Sequence, residues 1–261
     1  MDFETILYDV RDGVALVTLN RPDKLNAFND AMTAETIAAL KQAGRDESVR
    51  CILLTGAGRG FSSGQDLSAI VEKAGEISIG EHLRQGYHKL IKMMVGLEKP
   101  IIAAVNGVAA GAGCGIALAA DIRIASDEAS FMLAFSRVGL IPDSGVNWLL
   151  PRLIGYTRAY EMAMTAEKIP AGRAVEWGMV NYVVPAAQLM EISWATALQF
   201  ASGPTLAFGL TKRAMMQGFD QTLDEALTYE AYLQDVAGRS ADNREGVMAF
   251  LEKREPAFTG R

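Results

Sequence analysis

Cys51-Ile52-Leu53-Leu54-Thr55-Gly56-Ala57-Gly58-Arg59-Gly60-Phe61-Ser62-Ser63-Gly64-Gln65-Asp66-Leu67 opens as a short apolar run and breaks abruptly into glycine. An apolar run of that length bounded by turn residues predicts a buried strand over 51–55. The arrangement recurs after a helical stretch around 82–95: residues 100–105 predict a second buried strand, which feeds Asn106-Gly107 and then Gly111-Ala112-Gly113. Residues 122–125 predict a third short strand. Two strands that each run into a glycine-rich turn ahead of a helix predict an α/β fold, an irregular spiral of β-β-α turns.

Outward from that core, residues 5–10 and 14–19 cluster β-formers around Arg11-Asp12-Gly13, the pattern of a hairpin. Asn29 caps a helical pattern that runs to about residue 43, with Met32, Thr36, Ile37 and Leu40 at helical spacing. From residue 186 onward the chain reads as helical; Thr222-Leu223-Asp224-Glu225 has the form of a capping box, and Ser240 is placed to cap a last helix. The expected division is a spiral core over 1–200 and a helical region over 201–261, of the kind that often packs on a neighbour.

A chain of 261 residues, 50% hydrophobic and 21% charged, can bury a large core, and its composition is far from that of disorder. A net charge of −6 without a basic stripe argues against a nucleic-acid surface. An anionic ligand must then meet a few local cations or backbone N–H groups. Cys51 and Cys114 stand far apart with no CxxC and no neighbouring histidine, so neither a metal site nor a disulfide framework is expected. No basic leader precedes an apolar run, and no apolar stretch is long enough to span a bilayer; the expected setting is the cytoplasm, away from membranes.

The glycine loops invite two familiar readings. A dinucleotide fingerprint fails because Phe61 and Ile116 occupy the last glycine positions of the two loops. Gly60-Phe61-Ser62-Ser63-Gly64 fits a serine-hydrolase elbow, but the acid and then the histidine must follow it, and the two histidines, His82 and His88, come soon after Ser62. A simpler account is that glycine and alanine keep side chains away so that backbone N–H groups face a ligand, two of them converging on one carbonyl oxygen. The same glycines equally serve tight turns or close packing.

Val138-Gly139-Leu140-Ile141-Pro142-Asp143-Ser144-Gly145 sets a carboxylate between an apolar run and a glycine that opens a helical pattern. In a dry setting such an acid gains a proton affinity suited to acid–base work near neutral pH, whereas the bland alternative is a turn or helix cap. His82 and His88, six residues apart, do not share a helical face, so a common metal is not expected.

Taken together these segments resemble the crotonase superfamily of enoyl-CoA hydratases and isomerases. The resemblance runs from Leu19-Asn20-Arg21-Pro22-Asp23-Lys24-Leu25-Asn26-Ala27 to Glu252-Lys253-Arg254. It implies a crotonase-like β-β-α spiral with a helical C-terminal region, assembled as a homotrimer or a dimer of trimers, acting on an acyl-CoA thioester with no cofactor beyond the coenzyme A of the substrate. It also implies that the N–H groups of Gln65 and Ala112 hold the thioester oxygen. Adenine contacts would run along residues 62–66, with Ser62, Ser63 and Asp66 among them, and Leu67 would also touch the substrate. Arg21 and Lys24, with Lys253 or Arg254, would meet phosphates; Gly113, Phe135 and Leu140 would also contact the substrate, and Val146 and Asn147 would line the acyl pocket.

Hydratases of that superfamily carry two glutamates where this chain has Gly115 and Phe135; the remaining acid is Asp143, placed as in its isomerases and dehalogenases. One carboxylate acting twice suffices to shift a proton within a substrate. Residues 135–145 and the Gly64-Gln65-Asp66-Leu67 turn resemble the ring-1,2-epoxyphenylacetyl-CoA isomerases in particular, with Gly145-Val146-Asn147 departing from them. The alternatives are a hydratase-like enzyme, a 4-chlorobenzoyl-CoA dehalogenase-like enzyme with Asp143 as nucleophile, and a non-catalytic acyl-CoA binder.

Overall fold

The computed structural model describes residues 3–67 and 78–261. Strands β1 (Ile6–Arg11) and β2 (Val14–Leu19) form the expected antiparallel hairpin, Arg11 opposite Val14, its tip held by left-handed Asp12 and Gly13. Helix α1 (Asp30–Arg45) starts where Asn29 accepts the Met32 N–H, and it carries Met32, Thr36 and Leu40 inward. Next come β3 (Cys51–Gly56), β4 (Gly60–Ser62), α2 (Ile79–Gln85) and α3 (Tyr87–Gly96). The single helical stretch expected around 82–95 is therefore two helices, because Gly86 takes a non-helical conformation (φ −109°, ψ −93°) between them.

The chain continues with β5 (Ile101–Val105), β6 (Val108–Ala110), α4 (Ala112–Leu118), β7 (Ile122–Ser126) and β8 (Ser130–Met132). Then follow α5 (Val146–Ile154), α6 (Tyr156–Thr165), β9 (Ile169–Pro170), α7 (Ala171–Glu176) and β10 (Tyr182–Val184). One sheet has the order β1-β2-β3-β5-β7-β10 and the other β4-β6-β8-β9. The pairs β3/β4, β5/β6 and β7/β8 each place one strand in the large sheet and the next in the small one. That is the β-β-α spiral predicted from the two echoing segments. Parallel neighbours covered on both faces explain why β3 and β5 read as unbroken apolar runs. Ile52, Leu54, Ile101 and Ala103 face the main core, while Cys51, Leu53, Ile102 and Ala104 pack against Leu189, Ala197 and Ala201.

Those last residues belong to α8 (Leu189–Ser202), which α9 (Thr205–Gly218), α10 (Leu223–Gly238) and α11 (Ala241–Glu252) follow. Thr222 and Glu225 form the capping box, and Ser240 accepts the Asn243 N–H. The Lys212 Nζ on α9 lies 2.9 Å from Asp121 Oδ2 and also donates to the Met94 carbonyl, fastening the helical region to the spiral. Arg50 adds a second tie, donating to Thr205 Oγ1 and to the carbonyls of Gly203 and Phe258.

Candidate active site

Gly64, with φ 94°, is the hinge of the first loop. Its carbonyl accepts the Phe28 N–H at 2.7 Å, and the Asp66 N–H donates to the Phe28 carbonyl at 2.8 Å. In this parallel bridge Phe28 supplies both of its polar groups, so the N–H of its partner Gln65 faces the opposite side. The second loop approaches the same turn closely: a Cβ on Gly64 would stand 2.7 Å from the Ala110 carbonyl oxygen and 3.3 Å from the Ala112 nitrogen. Only a residue without a side chain lets the two turns meet this closely.

Gly111 (φ 52°, ψ −123°) then launches α4, of which Ala112 is the first residue. Its amide is one of the helix-terminal donors without an intrahelical acceptor. Among the described residues, neither the Gln65 nor the Ala112 N–H donates to any acceptor. Two uncommitted donors thus come from adjoining turns.

One turn along α4, the position expected to hold a glutamate in a hydratase is occupied by Gly115, and it has no room for one. A Cβ there would lie 2.5 Å from the Ser144 carbonyl oxygen and 2.9 Å from Ser144 Cβ. The segment that fills the space is the Asp143 turn. Ser144 is left-handed (φ 50°) and fully buried, Gly145 is left-handed too (φ 78°), and the Val146 N–H closes the turn on the Asp143 carbonyl at 2.9 Å. A non-glycine residue in that region is strained, and the tight packing around it holds the conformation. Asn147 Nδ2 braces the turn by donating to the Pro142 carbonyl. Burial pushes the half-buried Asp143 carboxyl above its ordinary value; the Ser144 hydroxyl, donating to Oδ1 at 2.7 Å, and the nearby His88 and His82 pull the other way.

A cluster that the sequence alone does not reveal gathers on the side chain of Gln65, near enough to Asp143 to feel its charge. The Tyr87 hydroxyl donates to Gln65 Oε1 at 2.6 Å, and His82 Nε2 lies 3.3 Å from the same oxygen. His82 Nδ1 is 3.7 Å from Asp30 Oδ1. Tyr87 is 2% exposed, and burial, with the charges of Asp143 and Asp30, pushes its phenol up. In the sequence Tyr87 is one aromatic residue at the head of an amphipathic helix, and nothing local distinguishes it from core.

The other expected site residues fall into three groups. Phe135 is buried beside Gly111, its Cζ 3.8 Å from where a Cβ of Gly111 would stand. Leu67 and Leu140 are exposed, and buried Val146 and exposed Asn147 border a groove of about 270 Å³ with Ile141, Tyr156 and Tyr160. Ser62 is fully buried with its hydroxyl donated to the Asn26 carbonyl, and Gly113 packs against it, so both join the loops together.

On the outer side, Ser63 donates to the Lys24 carbonyl at 3.2 Å and Lys24 is exposed. The Arg21 guanidinium is paired with Asp66 at 2.9 Å and donates to the Ala27 carbonyl, which makes it a brace between the two segments. Arg254 is bound to Glu245 and Glu252. A larger, mostly apolar cavity of about 400 Å³ between α5 and α9 does not include Gln65, Ala112 or Asp143. Among the described residues no three His, Cys, Asp or Glu side chains are grouped to hold a metal.

Comparison with known proteins adds an independent line. The family model for enoyl-CoA hydratase/isomerase matches residues 9–261. The chain is 48% identical over 260 residues to the 1,2-epoxyphenylacetyl-CoA isomerase of Escherichia coli (strain K12), covering 99% of each. It is 47% identical over 262 residues to a protein of Rhodobacter capsulatus named "Probable enoyl-CoA hydratase", covering 100% of each. The crystal structure of an enoyl-CoA hydratase from Bacillus anthracis superimposes with a TM-score of 0.91 at 35% identity, over 99% of this chain and 100% of that one.

Proposed function

The chain belongs to the enoyl-CoA hydratase/isomerase family, and from that premise we propose that it is an acyl-CoA isomerase working through a thioester enolate held by the Gln65 and Ala112 amides. The observation that carries this reading is the pairing of two adjoining uncommitted backbone donors with an acid, Asp143, where the hydratase position at 115 is closed by Ser144.

The two N–H groups polarise the thioester carbonyl, each worth about 3 kcal/mol in the transition state. The Asp143 carboxylate takes a proton from the α-carbon; the C–H electron pair moves into a dienolate whose negative charge gathers on the thioester oxygen. The protonated Asp143 then returns the proton at the γ-carbon, and a 3-enoyl thioester leaves as a 2-enoyl thioester. With an aryl-epoxide substrate of the kind named for the Escherichia coli relative, the same polarisation weakens the strained ring. Raising Asp143 by burial suits it to both directions of transfer. Coenzyme A would lie over the Ser63–Asp66 turn with Lys24 towards its phosphates, and Arg21, through Asp66, would stiffen that turn. The exposed apolar side chains of α10 and α11, among them Leu223, Tyr232, Phe250 and Leu251, support assembly into a homotrimer or a pair of trimers.

The test is turnover on a panel of 3-enoyl, 2-enoyl, epoxyphenylacetyl and chlorobenzoyl thioesters, with Asp143→Asn alongside. Isomerisation by the native protein, lost in the variant while acyl-CoA still binds, is the expected result. Water addition or halide release as the main reaction, or isomerisation retained by the variant, contradicts it.

A further inference from the structure

Of the two proposed donors, Ala112 is held by the helix it begins, whereas Gln65 sits in a loop with a single backbone bridge to Phe28. Its side chain supplies the missing restraint. Both ends of the carboxamide are occupied: Oε1 meets the Tyr87 hydroxyl at 2.6 Å and His82 Nε2 at 3.3 Å, and Nε2 donates to the Asp66 carbonyl at 3.3 Å. An amide oxygen only accepts, so the proton in the shorter bond is the phenol's.

We propose that Tyr87 is a positioning residue: its buried hydroxyl fixes the Gln65 side chain, and with it the direction of the main-chain N–H of the same residue. This rests on the reading of Gln65 and Ala112 as thioester donors. The tyrosine ring packs 6.2 Å from that of Phe28, the residue that bridges the Gln65 backbone, and 6.1 Å from that of His82. Tyr87 therefore steadies both the main-chain and the side-chain restraint on one peptide. Burial and the negative charges of Asp143 and Asp30 keep its phenol protonated, so the donor persists through the working pH range. Donors aimed in advance at a developing charge lose much of their value when the peptide carrying them drifts.

Tyr87→Phe keeps the ring and removes the bond. The expected result is a fall in kcat of about 10-fold with KM for acyl-CoA within about twofold of native, since the restraint acts on the transition state. Gln65→Met, which keeps the backbone amide and removes the acceptor, is expected to fall equally, and the double variant no further. An unchanged kcat in Tyr87→Phe, a rise in KM that accounts for the loss, or additive effects in the double variant overturns the proposal. Should Tyr87→Phe fold poorly, Gln65→Met carries the same expectation by itself. Ala112→Pro separates the two levels: if it leaves kcat intact the donor reading itself fails, whereas a low kcat there beside an unchanged Tyr87→Phe rejects only the role of Tyr87.

Discussion

At the scale of single residues the environment of Asp143 sets a measurable pH dependence. In the base role proposed for it Asp143 must be ionised, so kcat/KM is expected to rise with pH as the carboxyl loses its proton, with burial placing that limb above the ordinary aspartate range. The Ser144 hydroxyl stabilises the charged form, so Ser144→Ala raises the proton affinity further and moves the limb to higher pH. A pH–rate profile checks it; a limb that stays put or moves down contradicts the assignment. Asp143 was visible in the sequence because a carboxylate between apolar residues and a glycine is chemically conspicuous. Tyr87 was not, because the role proposed for it depends on a contact with Gln65 22 positions away that no local pattern encodes.

At the scale of elements, α4 joins the parts of the proposed site, with the Ala112 amide, which has no acceptor among the described residues, at its start and Ser144 packed on Gly115 one turn later. Ala112 is the first helical position, where proline fits the required backbone, and the preceding Gly111 has no Cβ to clash with the proline ring. Ala112→Pro therefore deletes one N–H while sparing the helix, and kcat is expected to fall about 10²–10³-fold with the circular dichroism spectrum unchanged. The longer elements were legible: β3 and β5 as continuous apolar runs, α1 from its Asn29 cap, the hairpin from its turn. The second sheet was not, since strands of two or three residues such as β4, β6, β8 and β9 are too short to show a period. The break at Gly86 was missed for a related reason: a lone glycine is tolerated inside helical patterns.

At the scale of the whole molecule, the spiral and its helical region are bound through Lys212 and Asp121 and through Arg50, yet Phe250 and Leu251 on α11 remain 82% and 68% exposed. Apolar surface of this kind suits burial against other copies. Light scattering is expected to give three or six times the 28.1 kDa chain mass, and a monomer would refute the proposed assembly. That two echoing strand-and-glycine segments belong to one spiral could be read from their repetition; that their glycine turns touch could not, because it depends on the Gly64–Ala110 approach across the loops. The measurement that bears most directly on the site is the infrared carbonyl band of a thioester labelled with carbon-13 at its carbonyl, bound to the protein. Two converging N–H donors predict a clear shift to lower frequency than in water, reduced in Ala112→Pro; a band at its solution position in the native protein would contradict the account.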